Sequence, residues 1–351
     1  MKKLRIGMIG AGNIANMHID SYKNVPNAEV VALCDIDEAR LKKTAQKYGI
    51  TKTYTSVTDM LNNEQLDAAD VCVWNCNHAK CAIEALNAGL HVLCEKPMAY
   101  SAKEAEQMLQ AAEKNNKLLM IGFVMRFANE ALVSKEFISK NYLGDIYHSK
   151  ATYLRRHGAP GGWFSNKALS GGGPVIDLGV HVIDITRYLM GNPEPVSVYA
   201  VTHDKLKNRP SLKNDVGWKP DGASDDDIYD VEDFATAIIR YKDGSTTLLE
   251  TSFSLNGEPC TKRELFGTKG GIKIENDFKI YTELEGYLSD ITPDMSLIKG
   301  NSDMFTNEMA HFVDCALNGT ECIAPAKDGV TIMKILDAIY ESAKTGHEVM
   351  L

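Results

Sequence analysis

Short apolar blocks and helical-period stretches alternate along the first third of the chain. The blocks Leu4 to Ile9, Glu29 to Cys34, Ala69 to Val73, Leu90 to Cys94 and Leu118 to Gly122 are four to six residues long, the length of a buried strand. Between them lie a helical stretch from Glu38 to Tyr48 and one from Ala79 to Ala88 stopped by Gly89. A third helix is capped by Ser101, with Glu104 three residues on as a capping box. Strands alternating with helices of ten to fifteen residues predict a doubly wound parallel sheet.

Beyond Gly122 the period changes. After Phe123-Val124-Met125-Arg126-Phe127 a helix is expected to about Tyr142. Residues then alternate as strands at Asp145–Tyr153, Pro195–Thr202, Val231–Tyr241, Thr246–Leu255, Lys262–Gly267, Gly271–Glu275 and Phe278–Thr282. The short connections Lys242-Asp243-Gly244 and Thr268-Lys269-Gly270 are hairpin turns, so this second sheet is expected to be large, open and mainly antiparallel. The tail returns to helix at Phe305 to Leu317 and Val330 to Lys344. The expected fold class is α/β, with a Rossmann domain over residues 1–122 and a substrate-binding and oligomerisation domain over 123–351, the C-terminal helices packing back on the first domain. In Phe234 to Tyr241 both alternate faces are mostly apolar. That predicts helices on one face and another subunit on the other, hence a homodimer or homotetramer through the sheet.

Charge and cysteine usage narrow the partners. At 351 residues with a net charge of −9, the chain has no basic patch for nucleic acid or for an anionic membrane. The apolar run near the N-terminus breaks at Gly7 and Gly10 and does not read as a signal peptide, and no run approaches the length of a membrane span. The eight cysteines match no zinc spacing and are read as free thiols of a reducing cytoplasm. The acidic loop 203–230, with Asp225, Asp226 and Asp227 in a row, is read as a solvated loop or flap rather than a metal site, and no metal is expected.

Candidate chemistry sits at three places. The first strand runs into Gly10-Ala11-Gly12-Asn13-Ile14-Ala15, the G-x-G-x-x-A dinucleotide fingerprint in its strand–turn–helix context. Asp35 closes the second strand twenty residues after Ala15, where an acid accepts the ribose hydroxyls of NAD and repels the extra phosphate of NADP. NAD is therefore favoured, although Arg40 lies close by. The loop Trp74-Asn75-Cys76-Asn77-His78 should face the nicotinamide half, with His78 as a candidate contact. The second place is Glu95-Lys96-Pro97, an acid, a base and a ring-locked residue at a strand's carboxyl end, where open α/β sheets bind ligands. The third is Gly171-Gly172-Gly173-Pro174 leading into a helix on which Asp177 and His181 are i and i+4, with Asp184 close to the same face. An imidazole beside a carboxylate is an adjustable base near neutral pH.

The set Gly10 to Ala15, Glu95-Lys96-Pro97 and Asp177-x-x-x-His181 resembles the glucose-fructose oxidoreductase and inositol dehydrogenase family in order and spacing over nearly the whole chain. The resemblance implies an NAD(P)-dependent oxidoreductase acting on a sugar, glycoside or polyol, with Lys96 as catalytic lysine, Asp177 as orienting acid and His181 as base. Cofactor contacts are expected at Gly10, Gly12, Asn13, Ile14, Asp35, Trp74, Asn75, His78, Glu95 and Lys96. The stretch Arg155 to Phe164 is similar to family members that act on sugars or glycosides, which makes Arg126, Arg155, Arg156 and Trp163 candidate substrate contacts. One departure stands out: the third-strand loop reads Trp74-Asn75 where the family usually has Thr-Pro. Two other readings use the same residues: a redox-neutral sugar enzyme with retained NAD, and a non-enzymatic NAD-responsive sensor. Intact Lys96, Asp177 and His181 speak against the sensor.

Overall fold

The computed structural model describes residues 3–206, 219–220, 223–224, 226–275, 277–298 and 303–351. The chain forms two compact units, Met1–Phe127 with Asn301–Met333, and Ala128–Gly300 with Lys334–Leu351.

The first unit is built on a six-stranded parallel sheet. Its elements are β1 (Leu4–Ile9), α1 (Asn13–Tyr22), β2 (Ala28–Cys34), α2 (Glu38–Tyr48), β3 (Lys52–Tyr54), α3 (Val57–Asn63), β4 (Ala68–Val71), α4 (His78–Asn87), β5 (His91–Glu95), α5 (Ala102–Asn115) and β6 (Leu119–Gly122). The strand order β3-β2-β1-β4-β5-β6 reverses direction between β1 and β4, and a crevice for a ligand opens at such a switch point. The apolar blocks form strands because their side chains are covered on both faces: Ile6, Met8, Val71, Val92 and Leu93 are fully buried. The capping expected of Ser101 is present, its hydroxyl accepting the Glu104 N–H at 3.3 Å. The three-residue β3 and the seven-residue α3 are too short to show a period and were not expected from the sequence.

The second unit carries α6 (Asn129–Ser139), β7 (Ile146–Leu154), α7 (Lys167–Ser170), α8 (Val180–Leu189), β8 (Pro195–His203), β9 (Phe234–Tyr241), β10 (Thr246–Ser252), β11 (Cys260–Gly267), β12 (Gly270–Ile274), β13 (Lys279–Leu284) and β14 (Tyr287–Ile291). Helix α9 (Met304–Asn318) returns to the first unit. The division between units falls within α10 (Ala326–Thr345), and β15 (Val349–Met350) ends the chain in the second sheet. That sheet has nine strands in the order β14-β13-β12-β11-β7-β10-β9-β8-β15, and its named pairings are antiparallel except for β7 with β10. Helix α8 packs on β7, β10 and β11, over the face where Ala151, Ala237, Ile239, Leu249 and Leu265 are buried. The other face is open at Tyr199 and Ile238.

Candidate active site

The glycine turn behaves as its spacing requires. Gly10 has φ +107°, and a Cβ there would lie 2.3 Å from the Cys72 carbonyl oxygen, so no larger residue fits. A Cβ on Gly12 would meet nothing within 4 Å among the described residues, which leaves the backbone open to close approach by a pyrophosphate. Ala15 is fully buried beneath the turn. Gly12 is the N-cap of α1, no side chain caps it, and the first turn holds no acid. The amides of Asn13, which is exposed, and Ile14, which is half-buried, are therefore placed to donate to an anion. These features fit a bound dinucleotide.

Asp35 does more than the sequence suggests. Its Oδ2 accepts the Ala11 N–H at 2.8 Å and its Oδ1 accepts the Asp37 N–H at 2.8 Å, so the carboxylate also ties the glycine turn to the end of β2. Arg40 Nη1 lies 3.6 Å from Asp35 Oδ2. Ile36, next in sequence, is 77% exposed. It is an apolar surface beside Asp35 that the sequence reading did not single out.

At the end of β4, Trp74 is half-buried and Asn75 starts a 3₁₀ turn, Asn75–Asn77. His78 was expected as a nicotinamide-side contact. It is buried and its ring nitrogens meet two backbone carbonyls, Nδ1 at 2.7 Å from Pro97 O and Nε2 at 3.0 Å from Val73 O. Burial, working against those contacts, lowers its pKa. The ring pins the end of β5 to the end of β4. Glu95, also expected as a cofactor contact, turns its carboxylate inward, with Oε1 3.0 Å from His18 Nε2 and Oε2 accepting the Lys96 N–H at 3.1 Å. Lys96 itself is half-buried, and its peptide bond to Pro97 is cis. Arg126 is corrected as a substrate contact. It is wholly enclosed and donates to Ile323 O at 2.5 Å and to Asp328 Oδ2 at 2.8 Å, a charge buried with its partner.

In the second unit the glycine run is explained by a half-buried carboxylate. Glu232 accepts the Gly173 N–H at 3.0 Å, the Val175 N–H at 3.2 Å and the Tyr340 hydroxyl at 2.8 Å. A Cβ on Gly172 would lie 1.9 Å from the Tyr340 oxygen, and one on Gly173 2.3 Å from the Glu232 carbonyl oxygen. Burial raises the Glu232 pKa against these hydrogen bonds. The chain then enters a π-helical turn, Val175–Gly179, before α8. Asp177 lies in that turn and His181 in the first turn of α8, so the pair does not sit on one regular α-helix as the i, i+4 spacing predicted. From Gly172 to Arg187 every residue is buried except Asp177 and His181, which are half-open. Asp184, expected near the same face, is buried.

Arg155 joins this pair: its Nη1 lies 3.8 Å from Asp177 Oδ2, and its Nη2 donates to the Tyr153 hydroxyl at 3.3 Å. Arg156 is exposed. Trp163, half-buried, sits in the 3₁₀ turn Gly162–Ser165 with its ring centroid 3.9 Å from that of Phe164. The acidic loop holds this turn in place. Asp227 accepts the Gly162 N–H, and Asp230 Oδ1 accepts the Lys167 N–H at 2.7 Å. Asp225 lies outside the described residues. All eight cysteines are free thiols, and no helix among the described residues is long and apolar enough to cross a membrane.

The family model described as an oxidoreductase family with an NAD-binding Rossmann fold matches residues 4–123, and that of the GFO/IDH/MocA C-terminal domain matches residues 125–273. The chain belongs to the GFO/IDH/MocA oxidoreductase family. Within that family it is 34% identical to the D-glucoside 3-dehydrogenase of Escherichia coli strain K12, over 99% of this chain and 97% of that protein. It is 26% identical to the levoglucosan dehydrogenase of Pseudarthrobacter phenanthrenivorans, over 98% of this chain and 97% of that protein. Among solved structures it resembles the aldose-aldose oxidoreductase of Caulobacter crescentus complexed with glycerol, with a TM-score of 0.83 and 26% identity over all of both chains. The resemblance stated from the motifs is thereby confirmed, as is the fold class.

Proposed function

We propose that the protein is an NAD-dependent dehydrogenase that oxidises a secondary hydroxyl of a sugar, glycoside or polyol, with glycosides of glucose as the first class to try. The observation that carries this reading is the exposure pattern of the second unit. In a stretch of sixteen residues locked by Glu232 and by burial, the two half-open side chains are an acid and an imidazole. A chain that only sensed NAD would have no use for that pair. The similarity to a glucoside dehydrogenase over the whole length supports the substrate class.

Bound NAD supplies the acceptor for a hydride from the substrate carbon. Gly12 and the amides of Asn13 and Ile14 receive its phosphates, Asp35 favours the ribose of NAD over the phosphorylated ribose of NADP, and Ile36 offers apolar surface beside it. His181 takes the hydroxyl proton, Asp177 stabilises the imidazolium that forms, and Lys96 holds the substrate oxygen as negative charge develops on it. Arg155 and Trp163 supply polar and ring contacts to the sugar. Asp177→Asn and His181→Ala should lower turnover while leaving the Kd for NAD unchanged. Equal loss of NAD binding in both variants contradicts these roles.

We infer in addition that the open face of the nine-stranded sheet pairs with a second copy of the chain. Tyr199, Ile238 and Leu248 are cross-strand neighbours in one row, which continues through Lys150, Glu264 and Lys273 as alternating charges. An apolar patch beside interleaved charges suits a self-complementary contact. Light scattering on the wild type and on Ile238→Glu tests it: an assembly that Ile238→Glu dissociates supports the contact, and a monomeric wild type contradicts it.

A further inference from the structure

The first unit encloses a set of titratable side chains that neither cofactor nor substrate contacts account for. His18, on the inner side of α1, has no exposed surface. Its Nδ1 lies 2.9 Å from Asp70 Oδ2 and its Nε2 lies 3.0 Å from Glu95 Oε1. Tyr22, one turn further along α1, donates to the same Asp70 oxygen at 2.9 Å, and the Cys72 thiol donates to Asp70 Oδ1 at 3.3 Å. Both ring nitrogens therefore face carboxylate oxygens. A neutral imidazole has one N–H and one lone pair, so both contacts are satisfied only if the ring carries a second proton or one acid is protonated. Two further donors already point into Asp70, which makes that acid an acceptor throughout, and a buried carboxylate of this kind is stabilised by a cation beside it.

The other end of the set reaches the strand end. Glu95 is the last residue of β5. It gives Oε1 to His18 and Oε2 to the backbone amide of Lys96 at 3.1 Å. Gly122, at the end of β6, closes on it from the side: a Cβ there would lie 3.0 Å from Glu95 Oε1 and 3.2 Å from its Cα. A continuous line of hydrogen bonds thus runs from Tyr22 and Asp70 through His18 and Glu95 to the amide from which the Lys96 side chain departs. His18, Asp70 and Cys72 are close enough together to hold a metal ion, but their hydrogen bonds to one another and to Tyr22 and Glu95 already use the donor atoms.

We propose that His18 is a positioning residue for Lys96, acting by anchoring Glu95 and through it the Lys96 backbone. The proposal rests on the reading of Lys96 as the group that holds the substrate oxygen. A displacement of about 1 Å at such a group is enough to cost on the order of a hundredfold in rate, so a fixed backbone at this point has a direct catalytic consequence.

The test needs a readout that does not depend on knowing the substrate. Trinitrobenzenesulfonate labels lysine amines, and the rate at which it labels Lys96, followed by peptide mass spectrometry with the other lysines as internal controls, measures how firmly that side chain is held. In His18→Gln the Lys96 rate should rise severalfold while the other lysines and the melting temperature of the NADH complex report a folded protein. Tyr22→Phe, a gentler change, should move the Lys96 rate in the same direction and serves if His18→Gln does not fold. A Lys96 rate unchanged in both variants overturns the proposal. Turnover on methyl glucoside with NAD separates the two ideas. A fall in kcat of about tenfold in His18→Gln with KM for NAD unchanged, and no further fall when His18→Gln is added to Lys96→Ala, supports positioning through Lys96. Additive losses overturn it while leaving the role of Lys96 intact. Full activity in Lys96→Ala, with labelling still altered by His18→Gln, overturns the role of Lys96 and leaves the anchoring of its backbone in place.

Discussion

Asp35 accepts the N–H of Ala11 at 2.8 Å, so the residue that should read the ribose also holds the turn that should receive the pyrophosphate. Replacing it therefore has two effects. Asp35→Ser removes a negative charge beside Arg40, whose guanidinium lies 3.6 Å away. NADP use should rise, with kcat/KM for NAD falling by about tenfold or more as the ribose contacts are lost. The variant should also be less stable by about 1–3 kcal/mol, because one buried and one half-buried amide lose their carboxylate acceptor. Steady-state kinetics with both nucleotides, beside a urea melt, checks both effects. An unchanged NAD preference contradicts the assignment of Asp35.

His18 gives the protein a pH dependence with a definite sign. Burial opposes charge on the ring, but Cys72 and Asp70 beside it outweigh burial, and the pKa is raised well above its ordinary 6.5. Burial pushes the Cys72 thiol up, which keeps it a donor to Asp70 beside the ring. A group whose folded pKa lies above its unfolded value contributes its full stabilisation below the unfolded pKa of about 6.5, where both states are protonated. That contribution is lost at about 1.4 kcal/mol per pH unit as pH rises toward the folded value. Urea melts at successive pH values above neutrality should show this decline in the wild type and a flatter profile in His18→Gln. A wild type that gains stability over that range refutes the charged ring.

The clasp on the glycine run predicts unequal losses. Tyr340→Phe keeps the ring but leaves Glu232 without one of its donors, at a cost of about 1–3 kcal/mol. Gly172→Ala should be worse, since the new methyl would overlap the Tyr340 oxygen at 1.9 Å. Combining the two should recover only part of the loss, because the ring carbon bearing that oxygen is also within 2.6 Å. Thermal melts of the two single variants and the double variant decide this.

Arg155→Gln removes the guanidinium 3.8 Å from Asp177. If Arg155 contacts the sugar, KM for the sugar should rise while KM for NAD stays unchanged, and kcat should fall less than in Asp177→Asn. A variant with wild-type KM for the sugar removes Arg155 from the site.

What the sequence made legible is what short segments decide locally. The turn from Gly10 to Ala15 could be read because one glycine must adopt a positive φ and another must leave room, and both constraints act within six residues. The strand ending in Glu95 was legible for the same reason. Contacts between distant segments were not. His18 meets acids 52 and 77 positions away, on two different strands, and nothing in the helix around it announces them. Glu232 and Tyr340 are 108 positions apart, so the reason for three successive glycines lay outside the run itself. Arg126 looked like a substrate cation because its partner Asp328 is 202 positions further on. His78 and Glu95 stand at strand ends where ligands bind, and their side chains turn inward to hold those ends together, which adjacency in the sequence does not show.

The most direct test of the account is NADH formation, followed by its absorbance, with inositols, free hexoses and alkyl glycosides offered in turn to the wild type and to Lys96→Ala. The account predicts NADH from the wild type with at least one glycoside or polyol, and a loss of that signal in Lys96→Ala without loss of NAD binding. A wild type that binds NAD and reduces it with none of these substrates, or a Lys96→Ala variant as active as the wild type, contradicts it.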